Sequence, residues 1–138
     1  MINYSNAIKV FGGQGDQASR AGNSTASQDD GEVVTTAGIS RRVKSPRANG
    51  HFSYHARVTE ASAGGAITVW YSNLPNPDVD TDDNWVQDTT IGSLVLTGVA
   101  SFFGNVGNVF AEWIRYKVLP TGDNASVYIY HRAEGVEY

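Results

Sequence analysis

From residue 51 onward the apolar side chains recur at every second position, and no stretch shows the three-to-four spacing of a helix. That property confines the chain to sheet architectures. In His51 to Thr59, Phe52, Tyr54, Ala56 and Val58 point one way, and His51, Ser53, His55, Arg57 and Thr59 point the other. A half-buried antiparallel strand has this pattern. Ala61 to Gly65 reads as a turn into a second run, Ala66 to Ser72, where Ile67, Val69 and Tyr71 share the face opposite Trp70. Pro75 and Pro77 forbid a central strand in the loop Asn73 to Asn84. Trp85 to Gln87 resumes extended structure, and Gly92 to Gly98 is a strand bracketed by glycines. Val99 to Phe110 has no clean period and reads as a loop flanked by strand ends. Glu112 to Leu119 alternates again, with Trp113, Arg115 and Lys117 facing away from Ile114, Tyr116 and Val118. Turn residues Pro120 to Asn124 and the returning run Ser126 to His131 predict a hairpin.

The first 50 residues differ in kind. Ala7 to Phe11 alternates as a short strand, and Glu32 to Thr36 predicts another. Between them, Gly12 to Gly31 holds no apolar side chain larger than alanine and has no core face to bury. Ordering each of its residues costs about 1–2 kcal/mol in backbone entropy, with nothing in the segment to offset it. It reads as either a mobile loop or an extended arm that orders against a partner. Arg41, Arg42, Lys44 and Arg47 follow as a basic cluster, and Asn49-Gly50 marks a turn. The chain thus reads as an all-β protein, an antiparallel β-sandwich of about eight strands and a jelly roll in connectivity. Residues 1–50 supply an N-terminal strand, the arm and the basic segment; residues 51–138 supply the sandwich body. Deleting residues 1–31 is then expected to leave a folded body.

At 138 residues the chain makes one domain. A domain of this size buries roughly 68% of the surface its unfolded chain exposes, so its core needs no covalent staple. There is no cysteine, which excludes disulfides and thiolate metal sites. The N-terminus shows no basic region followed by an apolar run, and no stretch approaches the roughly 20 apolar residues of a membrane span. The net charge of −4 is unevenly spread. Residues 1–50 carry six Lys and Arg against four Asp and Glu; residues 51–138 carry four against ten. An arm and a body of opposite sign suit self-association or docking, and the acidic body argues against nucleic acid as partner.

Catalytic constellations are missing. There is no cysteine nucleophile and no Gly-x-Ser-x-Gly elbow. Glu60, Glu112 and Glu134 offer only the chance carboxylate pairs of any β protein. His51 and His55 share a strand face but lie about 13 Å apart, too far for one zinc ion. Asp78, Asp80 and Asp82, beside Asp83, have a spacing that can wrap calcium, but no glycine follows and no glutamate closes the loop. The competing reading is a solvated acidic tip. Trp70, Tyr71, Trp85, Trp113, Tyr128 and Tyr130 fit a core, a subunit interface or a sugar-stacking platform. No cofactor is expected.

Several segments together resemble a known family. They are Val69 to Asn73, the acidic loop, Asn84-Trp85-Val86, Gly92 to Gly98, Trp113 to Val118 and Asn124 to Ile129. In this order they are similar to small β-sandwich virion proteins of tailed bacteriophages, above all the decoration, or cement, proteins of phage heads. There an acidic or Asn/Asp loop precedes a tryptophan, and a Trp-Ile-Arg-Tyr-like strand is followed by a Gly/Asn turn. The resemblance spans about residues 51–132. It implies a non-enzymatic protein, made in the host cytoplasm and placed on the outer surface of the capsid. Its partners would be the major capsid protein and further copies of itself, as a dimer or trimer, with no nucleic acid and no membrane. Arg41, Arg42, Lys44, Arg47, Trp70 and Trp113 are the residues expected at those contacts. Related sandwiches in phage tails make a carbohydrate- or receptor-binding module the alternative.

Overall fold

A computed structural model describes residues 6–12, 31–46 and 50–135. The described chain is built of strands: β1 (Ile8–Phe11), β2 (Glu32–Val34), β3 (Gly38–Ile39), β4 (Val43–Lys44), β5 (Phe52–Glu60), β6 (Gly64–Ser72), β7 (Val86–Gln87), β8 (Leu94–Val95), β9 (Ala100–Val106), β10 (Trp113–Thr121) and β11 (Ala125–Ala133). A single 3-10 turn, Asp82–Asn84, is the one helical element among the described residues. Every pairing is antiparallel. Sheet one has the order β1-β11-β5-β9, with β2 continuing along the edge of β11 that β1 occupies. Sheet two has the order β3-β10-β6-β7, with β4 beside β3 on β10 and β8 beside β7 on β6. The protein is an antiparallel β-sandwich.

The four nine-residue strands are central because their alternation is longest. Phe52, Tyr54, Ala56 and Val58 of β5 and Val127 and Ile129 of β11 line the inside of sheet one. They pack on Ile67 and Val69 of β6 and Ile114, Tyr116 and Val118 of β10. Each fully buried side chain of this class stabilises the fold by about 1.5–3 kcal/mol.

Three expectations are corrected. First, β10 and β11 do not pair as a hairpin. β10 pairs with β6 over nine positions, from Trp113↔Ser72 to Thr121↔Gly64, and β11 pairs with β5. Both β5–β6 and β10–β11 connections cross from one sheet to the other, because each strand's apolar row needs the opposite layer as cover. The two corners hold each other: Ser62 Oγ lies 3.0 Å from the Thr121 carbonyl and 2.9 Å from that of Asp123, and the Ala63 amide donates to Asp123 Oδ1 at 2.6 Å. Gly65 stands at φ +102°, where a Cβ would collide with the Leu119 carbonyl, so glycine is required for β6 to start beside β10.

Second, residues 100–106 form a regular strand. Phe102 and Gly104 turn inward, and Ser101, Phe103 and Asn105 turn outward. The period is hidden because Gly104 fills an inward position; the Tyr54 ring lies where its side chain would be.

Third, the sandwich does not begin at residue 51. Val10, Phe11, Val34 and Val43 belong to the core, and β1 to β4 form edges of both sheets. Deleting residues 1–31 would therefore remove two fully buried side chains, Val10 and Phe11, rather than trim an appendage. Residues 13–30, which carry most of the expected arm, lie outside the described residues. Their flanks are close together: Phe11 pairs with Ile129 and Glu32 with Val127, two positions apart on β11, about 7 Å.

Candidate functional site

The outer face of sheet two carries most of the residues expected at contacts. Trp113 pairs with Lys44 across β10 and β4. The Lys44 ammonium lies 4.2 Å and the Arg42 guanidinium 4.4 Å from the Trp113 ring centre. Arg115, opposite Trp70 in the next register position, is fully buried between the rings of Trp70 and Trp85, at 4.8 Å and 5.1 Å. Lys117 Nζ lies 5.5 Å from the centre of Trp70. The aromatic residues of this face are thus stacked on cations of their own chain.

The acidic loop closes over the same face. Asp82 accepts from Arg115 Nη2 and from Lys117 Nζ, each at 2.6 Å. Hydrogen bonds from Lys117 and Arg115 hold its carboxyl below the usual carboxylate range. Arg115 also donates to the Val79 carbonyl, Arg42 to that of Pro77 at 2.9 Å, and Trp85 Nε1 to that of Asp78 at 2.8 Å. Asp78 Oδ1 accepts the Asp80 amide at 2.9 Å in a local turn. The three calcium candidates are therefore not gathered: Asp82 is turned to the sheet, and Asp78 caps its own loop. Among the described residues no cluster of three or more His, Asp or Glu is placed to hold a metal.

Arg41 stands apart from the other basic residues. Its amide donates to the Val10 carbonyl at 3.3 Å, and its charge acts on buried His131. Arg47 lies outside the described residues.

The outer face of sheet one is built differently. His55 stacks on Tyr128 with ring centres 6.3 Å apart, and Tyr128 meets Tyr130 edge to face at 5.9 Å. Lys9 Nζ lies 5.8 Å and 5.7 Å from those two tyrosine rings. Arg57 donates to Ser101 Oγ at 2.8 Å. Beside this row Phe103 is 69% exposed. A cleft of about 420 Å³ opens here, lined among others by Ala7, Ser53, His55, Phe103, Tyr130 and Arg132, with no carboxylate in its described wall. This is an aromatic concavity with Arg132 as the charged side chain of its described lining.

Beneath it the core holds His131. Its Nδ1 lies 2.6 Å from the Tyr116 hydroxyl, and burial, reinforced by Arg41, pushes its pKa down to about 3. It is neutral at ordinary pH and supports packing. His51 lies outside the core, its Nδ1 3.4 Å from Glu134 Oε2. Tyr71 turns inward and donates to Asp88 Oδ2 at 2.6 Å. Burial and that bond push the phenol far above its ordinary value. Burial pushes the Asp88 carboxyl up, and bonds from Tyr71, Thr90 and Ile91 outweigh it, leaving it below the usual range.

Sequence reasoning placed the outward residues of β5 and β10 on their faces, but it missed the sheet-one cleft. The missing signal was the alternation Ser101, Phe103, Asn105, which sets Phe103 on the same outer face as His55. No protein-family model matches the chain, and no curated protein matches it. Among the described residues no helix is long and apolar enough to cross a membrane.

Proposed function

We propose that the chain is a non-enzymatic structural virion protein with a jelly-roll sandwich. It would decorate a phage capsid and stabilise it by bridging major capsid protein subunits. The strand pairing supports the jelly roll. If the interrupted edges β1/β2, β3/β4 and β7/β8 each count as one strand, eight strands pair first with eighth, second with seventh, third with sixth and fourth with fifth. Such sandwiches serve as shell and lectin domains, so the fold leaves the function open. The observation that carries the reading is the sheet-one cleft: aromatic, lined by Arg132 and by no described carboxylate, on an acidic protein. Such a surface fits an acidic protein face. Many modest contacts of this kind, repeated over a shell, add to firm attachment.

The test is binding to purified heads. Arg132→Glu is expected to abolish retention on the capsid while leaving the melting temperature unchanged. Full retention of that variant would overturn the reading. Counting copies per major capsid subunit in density-purified particles tests the location; a ratio near one or a simple fraction of it is expected.

The second reading, a carbohydrate- or receptor-binding tail module, moves with the geometry. Trp70 and Trp113 are stacked on their own cations, so a sugar would have to stack on Tyr130 or Phe103 in the cleft. Glycan binding lost in Tyr130→Ala and kept in Trp113→Phe would favour it.

A further inference from the structure

Three of the four sheet edges are blunted. The β1/β2 edge is split between strands of four and three residues and carries a register shift between Lys9 and Phe11. Sheet two ends on two-residue strands, β3 and β4 on one side and β7 and β8 on the other. Short, broken or bulged edges are how sheets avoid pairing with other chains. β9 has none of these features. It is seven residues long, and its register with β5 runs unbroken from Phe52↔Val106 to Val58↔Ala100. Its sequence, Ala-Ser-Phe-Phe-Gly-Asn-Val, has no charge and no proline. Among the described residues no strand pairs with its far edge. Val99, just before it, is 58% exposed.

The geometry points to a homodimer in which the β9 edges of two copies pair antiparallel about a two-fold axis through Phe103. The strand is self-complementary in that register. Phe103 meets its own copy, an aromatic cross-strand pair that covers both exposed rings. Ser101 falls opposite Asn105. Phe102 falls opposite Gly104, so a ring covers the glycine, and Ala100 falls opposite Val106. No like charges meet anywhere along the contact. An isologous interface needs such a match of one surface to itself. The pairing joins the two copies of sheet one edge to edge and sets their clefts on one side of a continuous sheet. This goes beyond the capsid reading and needs only the purified chain.

The test is the solution mass of the full chain by sedimentation equilibrium, with three variants. The wild type is expected to be dimeric in the micromolar range. Ser101→Lys with Asn105→Lys places lysine opposite lysine twice and is expected to weaken the dimer by about tenfold or more. Ser101→Lys with Asn105→Glu places lysine opposite glutamate and is expected to restore it. Ser101→Cys with Asn105→Cys is expected to give a disulfide-linked dimer on oxidation, while neither single variant does. The chain has no other cysteine, and the two positions within one strand are about 13 Å apart, beyond disulfide reach. A wild-type monomer, a dimer indifferent to the lysine pair, or equal cross-linking of the single variants would overturn the proposal. An intact dimer of Arg132→Glu that fails on capsids would support the head-binding reading separately, since Arg132 lies off the β9 edge.

Discussion

The two outer faces of this sandwich are made from similar residues put to opposite uses. Both combine aromatic rings with lysine and arginine. On sheet two the chain supplies the complement itself: the loop carrying Asp78, Val79 and Asp82 folds over the strands, and Arg115 is consumed between Trp70 and Trp85. On sheet one the described wall of the cleft holds no carboxylate. The loop above sheet two makes that face a structural wall. The tryptophans, the most conspicuous residues in the sequence, belong to the wall.

The difference can be broken most strongly at Arg115. Arg115→Ala removes a fully buried guanidinium, two ring contacts and the bonds to Val79 and Asp82. It is expected to cost about 3 kcal/mol, in the range of large core truncations. Urea denaturation measures it, and a red shift of tryptophan emission should report the opened loop. Arg132→Ala on the other face should stay within about 0.5 kcal/mol, as exposed substitutions do. Equal losses would erase the distinction between the faces.

Acid separates the layers in a second way. His131, on the inner side of sheet one, titrates near 6.5 when unfolded and at about 3 when folded. Between these values the unfolded chain binds the extra proton. The stability it contributes is complete above pH 6.5 and is lost as pH falls toward 3, with a slope approaching 1.4 kcal/mol per pH unit, or about 2 kcal/mol by pH 5. His131→Leu should flatten that slope, even though it leaves the Tyr116 hydroxyl to be satisfied elsewhere. A variant with the wild-type slope between pH 6.5 and 5 would show that another group is responsible.

Much of the fold was legible because local alternation is a local signal. The outward and inward rows of β5, β6 and β10 follow from side-chain order alone, and so does the sandwich class. Partner choice was not legible. Nothing between Pro120 and Asn124 says that β10 and β11 enter different sheets; that follows from the nine-position match of β10 to β6, a non-local fact. Strand β9 escaped because glycine stands where an apolar residue would mark the period. β1 and β2 were read as strands but placed outside the sandwich body, and β3 and β4 were not read at all, because short edge strands carry little pattern. For the site, sequence named the basic cluster and the tryptophans as contact residues, but it could not show that each ring of Trp70 and Trp113 already had its cation.

The finest test concerns the clasp at Asp82. Its carboxylate is 49% exposed, so its two ion pairs are screened by solvent and contribute little. Asp82→Asn is expected to cost no more than about 1 kcal/mol at pH 7, much less than the loss of Arg115. The direction with pH is fixed by its depressed pKa. The contribution is present above the unfolded carboxylate value near 3.8 and disappears as pH falls through the lower folded value. The stability curves of wild type and variant should therefore run parallel from neutral pH to about pH 4, each bent equally by His131, and converge only below it. Salt should narrow the gap at neutral pH, since exposed pairs are screened. A gap that persisted at pH 2, or one larger than that of Arg115→Ala, would mean that the carboxylate rather than the stacked guanidinium holds the loop on sheet two.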